Sequence, residues 1–241
     1  MRGNNHIQAK GGYRTHTEPM QVISGYVHKP IVHFEAPPSE TLIEEMKKYI
    51  DWFNQSAPGQ PKELSVLARA SIAHLYFVSI HPFEDGNGRI GRALVEKVLA
   101  QDAQRPTLIS LSECIHEGRR QYYDMLELQN KHNVIDRWLQ YFFQVILQAQ
   151  QRTQEHLDFI IKKTKFFDRY SKGFNPRQLK VINRIFKEGI KGFEGGLSAH
   201  NYITISQTSA STAMRDLADL VHKTILIKKG EKKATRYFLN F

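Results

Sequence analysis

The sequence predicts a mainly α-helical protein with one short β-hairpin near its start and a small α+β domain at its end. Three observations carry that expectation. Apolar residues recur at helical spacing through most of residues 42–170, β-branched and aromatic residues cluster around a glycine in residues 20–34, and the charge changes character after residue 171.

Residues 1–19 are polar and read as loop. Residues 20–34 surround Gly25 and Lys29-Pro30 and read as a hairpin, whose edge is open to an extended target segment or stays unpaired as plain surface. Ala36-Pro37-Pro38 breaks the chain, and Ser39 is expected to cap a helix with Leu42, Ile43, Met46, Ile50 and Phe53 on its apolar face, ended by Pro58 and Pro61. Residues 64–80 are apolar on nearly all sides, as in a central buried helix. Further helices fit 90–101, with apolar positions 90, 94, 95, 98 and 99, then 111–130 and 134–170. In the last, Trp138, Leu139, Phe142, Val145 and Ile146 form a core stripe, and 148–155 are polar enough for a solvent-crossing linker.

At 241 residues the chain is long enough for one good core plus a small appended domain, divided here as 1–165 and 171–241. A single cysteine, Cys114, excludes an internal disulfide and suits a reducing cytoplasm; the polar start lacks the apolar stretch of a signal peptide. No run of about 18 apolar residues occurs, so no membrane association is expected. The 11 histidines are scattered, without the spacing of a transition-metal site, and all but His81 read as structural or surface residues.

The positive charge belongs to the tail. From residue 171 onward there are 13 Lys or Arg against 5 Asp or Glu, which accounts for +8 of the formal +10. Pro176 opens a helix through about Glu188, Ser198 caps a short one, and residues 209–221 form a third with Ala213, Leu217, Leu220 and Val221 inward. Residues 224–227 and 235–239 flank a lysine-rich tip. Three helices and such a wing make a winged helix-turn-helix, and Ser211 to Leu217 resembles the recognition helix of bacterial regulators. Ser209, Ser211, Thr212 and Arg215 suit phosphates or base edges, with Lys232 and Lys233 reaching a neighbouring groove. Protein binding, or pairing of two copies into a homodimer, fits the same surface, because fold alone does not fix function.

The most informative stretch runs from His81 to Arg92, His-Pro-Phe-Glu-Asp-Gly-Asn-Gly-Arg-Ile-Gly-Arg. Gly86-Asn87-Gly88 can turn successive amides into one concavity, and the helix that follows adds its positive end. Arg89 and Arg92, three apart, can fork onto phosphate oxygens. Asp85 is a hard oxygen ligand for Mg²⁺, and His81 can accept a proton near neutral pH.

These residues fill every fixed position of the Fic family signature, H-x-F-x-[D/E]-G-N-G-R-x-x-R: His81, Phe83, Asp85, Gly86, Asn87, Gly88, Arg89 and Arg92. At roughly 1 in 20 per position, a chance match of eight is on the order of 10⁻¹⁰ per start. The resemblance extends over most of residues 11–150. Gly12-Tyr13-Arg14 is similar to the start of the family's core, and Gln21 followed by Val22, Ile23, Ser24 and Gly25 to its flap hairpin. Tyr122, Tyr123 and Asn130 match the segment closing the adenine side of the pocket, although adjacent tyrosines do not share one helical face.

The resemblance implies a Fic-type helical core that moves AMP from ATP to a Ser, Thr or Tyr hydroxyl of a target protein, itself included, and releases pyrophosphate. His81 would be the base, Asp85 the Mg²⁺ ligand, and Gly86 to Arg92, Ile90 and Gly91 included, the phosphate site. Two rivals stay open: a DNA-binding regulator with a nucleotide-sensing, non-catalytic core, and an enzyme that removes AMP or moves another phosphate-linked group. Many relatives carry an inhibitory Ser/Thr-x-x-x-Glu-Gly/Asn helix facing the arginine that matches Arg92. Here Glu117-Gly118, Glu188-Gly189 and Glu194-Gly195 have Glu113, Arg184 and Ile190 at the Ser/Thr position. The sequence as it stands is expected to be active, with control from upstream of it or from another chain left open.

Overall fold

A computed structural model describes residues 9–26, 29–130, 134–190 and 192–240; the side chains of 22–26, 29–31, 33 and 130 lie outside that description. The chain forms two compact units, Met1–Thr153 and Gln154–Phe241.

In the first unit, β1 (Gln21–Tyr26) and β2 (Lys29–Glu35) pair antiparallel, with Gln21 opposite Glu35 and a register shift between Val22 and Ile23. The expected cap of the next helix is different: Ser39 begins a single 3₁₀ turn, and its hydroxyl donates to the carbonyl of His16 rather than accepting from the helix. Helix α1 (Leu42–Gln55) buries Leu42, Met46, Tyr49 and Phe53. Ile43 and Ile50, expected inward, are 77% and 46% exposed. A stripe at i, i+4, i+7 and i+11 is enough for a helix that meets the core along one line, and Tyr49 supplies the position Ile50 was expected to fill.

Helix α2 (Val66–Ile80) is the centre of this unit, with Ala70, Ala73, His74, Leu75, Phe77 and Ile80 buried. Its ionisable residues Arg69 and His74 are both buried. Arg69 donates to Phe53 O, Ser56 Oγ and Gln101 Oε1, and the His74 ring packs nearly parallel to those of Phe142 and Trp138, which stack on each other.

Helix α3 (Asn87–Ala103) lies against α2. Its inward face is Gly91, Val95, Val98 and Leu99; Ile90, expected to be buried, is 37% exposed. The approach is closest at Gly91, where a Cβ would meet Val78 Cγ1 at 3.0 Å and His74 Nδ1 at 3.1 Å.

The helix expected over 111–130 is two, α4 (Leu111–Glu117) and α5 (Arg119–Asn130), broken at Gly118. Helix α6 (Asp136–Tyr170) starts within this unit, where Trp138, Phe142, Val145, Ile146 and Ala149 complete the core.

In the second unit, residues 159–170 of α6 contribute Phe159, Phe166, Phe167 and Tyr170 to a separate core. Around it stand α7 (Pro176–Lys187), α8 (Ala199–Ser206), α9 (Ala210–His222) and a hairpin of β3 (Leu226–Lys229) and β4 (Arg236–Leu239). Leu197, just before α8, bridges to Tyr237 of β4. Pro176 opens α7 and Ser198 caps α8 as the sequence predicts, and Asn175 and Ser209 cap their helices in the same way: Asn175, Ser198 and Ser209 accept from the amides of Gln178, Asn201 and Thr212.

Candidate active site

Pro82 disfavours a right-handed helical conformation at the residue before it, so α2 ends at Ile80. His81 takes φ 50° and ψ 56°, in the left-handed region, at a cost of roughly 1–2 kcal/mol for a side chain with a Cβ. In that turn its Nδ1 donates to Val78 O at 3.2 Å. The neutral ring then carries its lone pair on Nε2. Burial pulls the His81 imidazole below its usual value, the Val78 carbonyl opposes that shift, and the charge on Arg14 adds to it. The ring is therefore neutral at pH 7.

The loop after His81 is held from inside. Phe83 packs on Tyr13 and Phe77 at centroid distances of 5.6 and 6.4 Å. The Asn87 side chain accepts from Phe83 N at 3.0 Å and donates to Phe83 O at 2.6 Å. Its role is to close the loop, and what it offers an anion is its backbone amide. Gly86, at φ 92°, permits the turn into α3. The first intrahelical bond is Ile90 N to Gly86 O, so the amides of Asn87, Gly88 and Arg89 sit in the unsatisfied first turn, where an anion is favoured.

A cavity of about 290 Å³ opens beside this turn. That is near the lower end of small-molecule sites, roughly 300–1,000 Å³. Its lining combines His81, Gly88 and Arg92 with the largely apolar Phe34, Ile115, Tyr122, Tyr123 and Leu126. Tyr122 is buried, with its hydroxyl 3.0 Å from His74 Nε2, and meets Tyr123 edge-on at 5.4 Å. The two adjacent tyrosines thus share the cavity because one points inward and the other lies across its wall. Phe34 places β2 over the site, its ring 6.4 Å from that of His81.

Among the residues singled out from the sequence, His81, Gly88, Arg92, Tyr122 and Tyr123 line one cavity. Asp85 and Arg89 stand outside that lining, paired with each other at 2.8 Å and with side chains 65% and 72% exposed. Gly91 is packed beneath the loop against α2, and Ile90 faces outward. Val22, Ile23, Ser24 and Gly25 belong to β1 and Asn130 ends α5, but their side chains lie outside the described residues.

Sequence reasoning passed over Ser112, His116 and Arg119, which border the cavity from α4 and α5. Their three- and four-residue spacing was the available signal, hidden by the break at Gly118. It also missed the buried Arg14, which donates to the carbonyl of His81 at 2.9 Å and to Ser39 Oγ at 2.9 Å.

In the second unit, Ser209, Ser211 and Arg215 are exposed at the start of α9, with Thr212 half-buried beside them. Lys232 and Lys233 are exposed in the turn between β3 and β4. Among the described residues no three or more His, Cys, Asp or Glu gather as a metal cluster, and no helix is long and apolar enough to cross a membrane.

The sequence of this protein matches the model of the Fic/DOC family over residues 3–99. It is 32% identical over 91 residues to protein adenylyltransferase fic-1 of Caenorhabditis elegans, a stretch covering 38% of this chain and 16% of that protein. It is 34% identical over 102 residues to protein adenylyltransferase Fic of Drosophila mojavensis, covering 42% of this chain and 18% of the relative. The matched stretch is thus less than a fifth of either protein. In fold, it is similar to a Fic family protein from Desulfovibrio desulfuricans G20, with a TM-score of 0.52 and 18% identity over 98% of this chain and 64% of that one. Residues 3–99 thus resemble the Fic/DOC family in sequence, and the chain resembles a Fic family protein in fold.

Proposed function

We propose that this protein transfers AMP from ATP to a hydroxyl side chain of a target protein and releases pyrophosphate. One observation carries the reading: His81 spends Nδ1 on Val78 O and so presents a basic Nε2 at a cavity that Gly88 and Arg92 also border. With the ring neutral at pH 7, Nε2 accepts the proton of the attacking hydroxyl as its oxygen bonds to the α-phosphorus and the bond to the pyrophosphate oxygen breaks. Base catalysis of this kind contributes about 10²–10⁴ in rate.

The first-turn amides of α3 and the guanidinium of Arg92 offset charge that builds on the phosphates. Phe34, Tyr122, Tyr123 and Leu126 give the nucleoside an apolar seat that excludes water. Asp85 suits Mg²⁺, an ion that takes one or two carboxylates and completes its shell with water and phosphate oxygens. Bound there, Mg²⁺ would neutralise phosphate charge. The β1–β2 hairpin offers an extended target segment a strand to pair with, close to His81.

Incubation with α-labelled ATP and Mg²⁺, with the chain and a cell extract as acceptors, tests this. Label on protein with the wild type and none with His81→Ala is the expected result, and no label under any condition overturns the reading.

For the second unit we propose a winged helix that contacts duplex DNA. The reading is favoured by the exposed Ser209, Ser211 and Arg215 at the start of α9 and by the lysines at the hairpin tip. Binding to random duplex should weaken steeply with salt, and changing Lys232 and Lys233 to alanine should flatten that slope. Salt-insensitive binding, or none, favours a protein-binding surface instead.

A further inference from the structure

Arg14 is 2% exposed and among the largest fully buried side chains, yet its hydrogen-bond partners among the described residues are carbonyl and hydroxyl oxygens, not a carboxylate. A buried cation held that way is costly unless it satisfies groups that would otherwise be stranded.

The stranded groups are at the end of α2. An α-helix leaves its last carbonyls without partners, and here the chain turns at once into a left-handed residue and a proline, which has no amide to offer. Phe77 O accepts from His81 N at 3.1 Å, and Val78 O from His81 Nδ1. The carbonyls of Ile80 and His81 accept from Arg14 Nη2 and Nε at 3.4 and 2.9 Å, and that of Pro82 accepts from Arg14 N at 2.9 Å. The other side of the same guanidinium reaches Pro37 O and Ser39 Oγ, and Ser39 in turn donates to His16 O. A single planar fork thus ties two segments, residues 14–16 and 37–39, to the turn that carries His81. Its charge also lies at the negative end of α2.

We propose that Arg14 is a positioning residue for His81: by holding the carbonyls of Ile80, His81 and Pro82 it fixes the left-handed turn that presents the imidazole to the cavity. The inference rests on His81 being the base, and it adds a residue fourteen positions from the start of the chain to the machinery around it. Lysine cannot substitute, because an ammonium is a point donor and cannot span carbonyls on one side and a hydroxyl on the other.

The positive charge of Arg14 also favours the neutral imidazole, along with burial. The other charged or titratable groups on the cavity wall are Arg92 on α3, His116 on α4 and Arg119, Tyr122 and Tyr123 on α5, and none of them is altered by the replacement of Arg14.

The test uses the full chain labelled with ¹⁵N-histidine, titrated by NMR, alongside transfer kinetics. In Arg14→Gln the His81 titration midpoint should rise, the Nδ1–H signature of the ring should weaken, and kcat should fall by about 10²-fold while the KM for ATP moves by less than about threefold. Arg69→Gln is the matched control. Arg69 is as buried and bonds Phe53 O, Ser56 Oγ and Gln101 Oε1, away from the cavity, so it should lower stability and leave the His81 midpoint in place.

Should Arg14→Gln not fold, Arg14→Lys keeps the charge and loses the fork: its midpoint should stay near wild type while kcat still drops. A wild-type midpoint in Arg14→Gln, or wild-type kcat in Arg14→Lys, overturns the proposal. The NMR arm needs no turnover, so a wild-type chain that transfers nothing would defeat the proposed reaction while leaving the coupling of Arg14 to His81 separately measurable.

Discussion

The carboxylate of Asp85 accepts from the Arg89 guanidinium at 2.8 Å, one turn apart at the start of α3. An exposed pair of this kind is worth only about 0–1 kcal/mol, so a divalent ion with phosphate can displace it. Asp85→Asn should leave the thermal midpoint nearly unchanged and raise the Mg²⁺ concentration needed for half-maximal transfer at least about tenfold, one ligand of a hard ion having lost its charge. A large fall in melting temperature together with an unchanged Mg²⁺ requirement would mean that Asp85 serves the loop and not the metal.

His74 makes folding sensitive to acid. Burial brings its imidazole down to about 4, whereas the unfolded chain titrates near ~6.5. Between those values the unfolded state binds more protons, so stability is fully present above pH 6.5 and is lost as pH falls towards 4. The total is on the order of 3 kcal/mol. Urea unfolding at pH 7.5 and pH 5 should show the loss, and His74→Gln should flatten the dependence. An equally steep slope in the variant would assign the acid sensitivity to other groups.

Two glycines three positions apart, Gly88 and Gly91, should respond differently to alanine. At Gly91 the new Cβ would stand 3.0 Å from Val78 Cγ1 and 3.1 Å from His74 Nδ1, both on a packed helix, so Gly91→Ala should cost about 1–3 kcal/mol. At Gly88 it would meet only Arg92 Nη1, at 3.3 Å, the far end of a flexible side chain. Gly88→Ala should keep its melting temperature and weaken ATP binding, readable by calorimetry.

In the second unit Asp216 is buried and accepts from Arg177 Nε and Nη2, Asn175 Nδ2 and Tyr202 Oη, which joins α7, α8 and α9. Asp216→Ala leaves four donor groups of three residues without their acceptor, and because water reaches Arg177, 42% exposed, the cost is expected to be about 1–3 kcal/mol. Denaturant unfolding of the full chain should show this unit melting early, and Asp216→Asn, which keeps an acceptor oxygen, should lose less. Equal losses in both variants would mean that the charge alone, and not the hydrogen bonds, holds the cluster.

Much of this architecture was legible in the sequence because it depends on local rules. The start at Pro176 and the cap Ser198 are read from residue type and position, and the inward stripes of α6 and α9 from spacing. The turn around Gly86 follows from the need for positive φ there.

What was not legible depends on partners distant in sequence. Whether Ile43 or Tyr49 faces inward is decided by where α2 lies, since both fit an amphipathic pattern. Arg14 looks like any surface cation until residues 37–39 and 80–82 are brought around it. Asn87 carries the features of an anion ligand, yet its amide group is spent on Phe83, a contact that only the closed loop reveals.

The ring of His74, in α2, packs on Phe142 at 4.8 Å and Trp138 at 6.1 Å and is bonded to Tyr122, all from chain synthesised after it. On a ribosome the nascent loop therefore emerges with its floor missing. Tyr122, Tyr123 and Leu126, which wall the cavity that His81 and Arg92 also border, come from α5, so that cavity is complete only once chain well beyond α3 has been made.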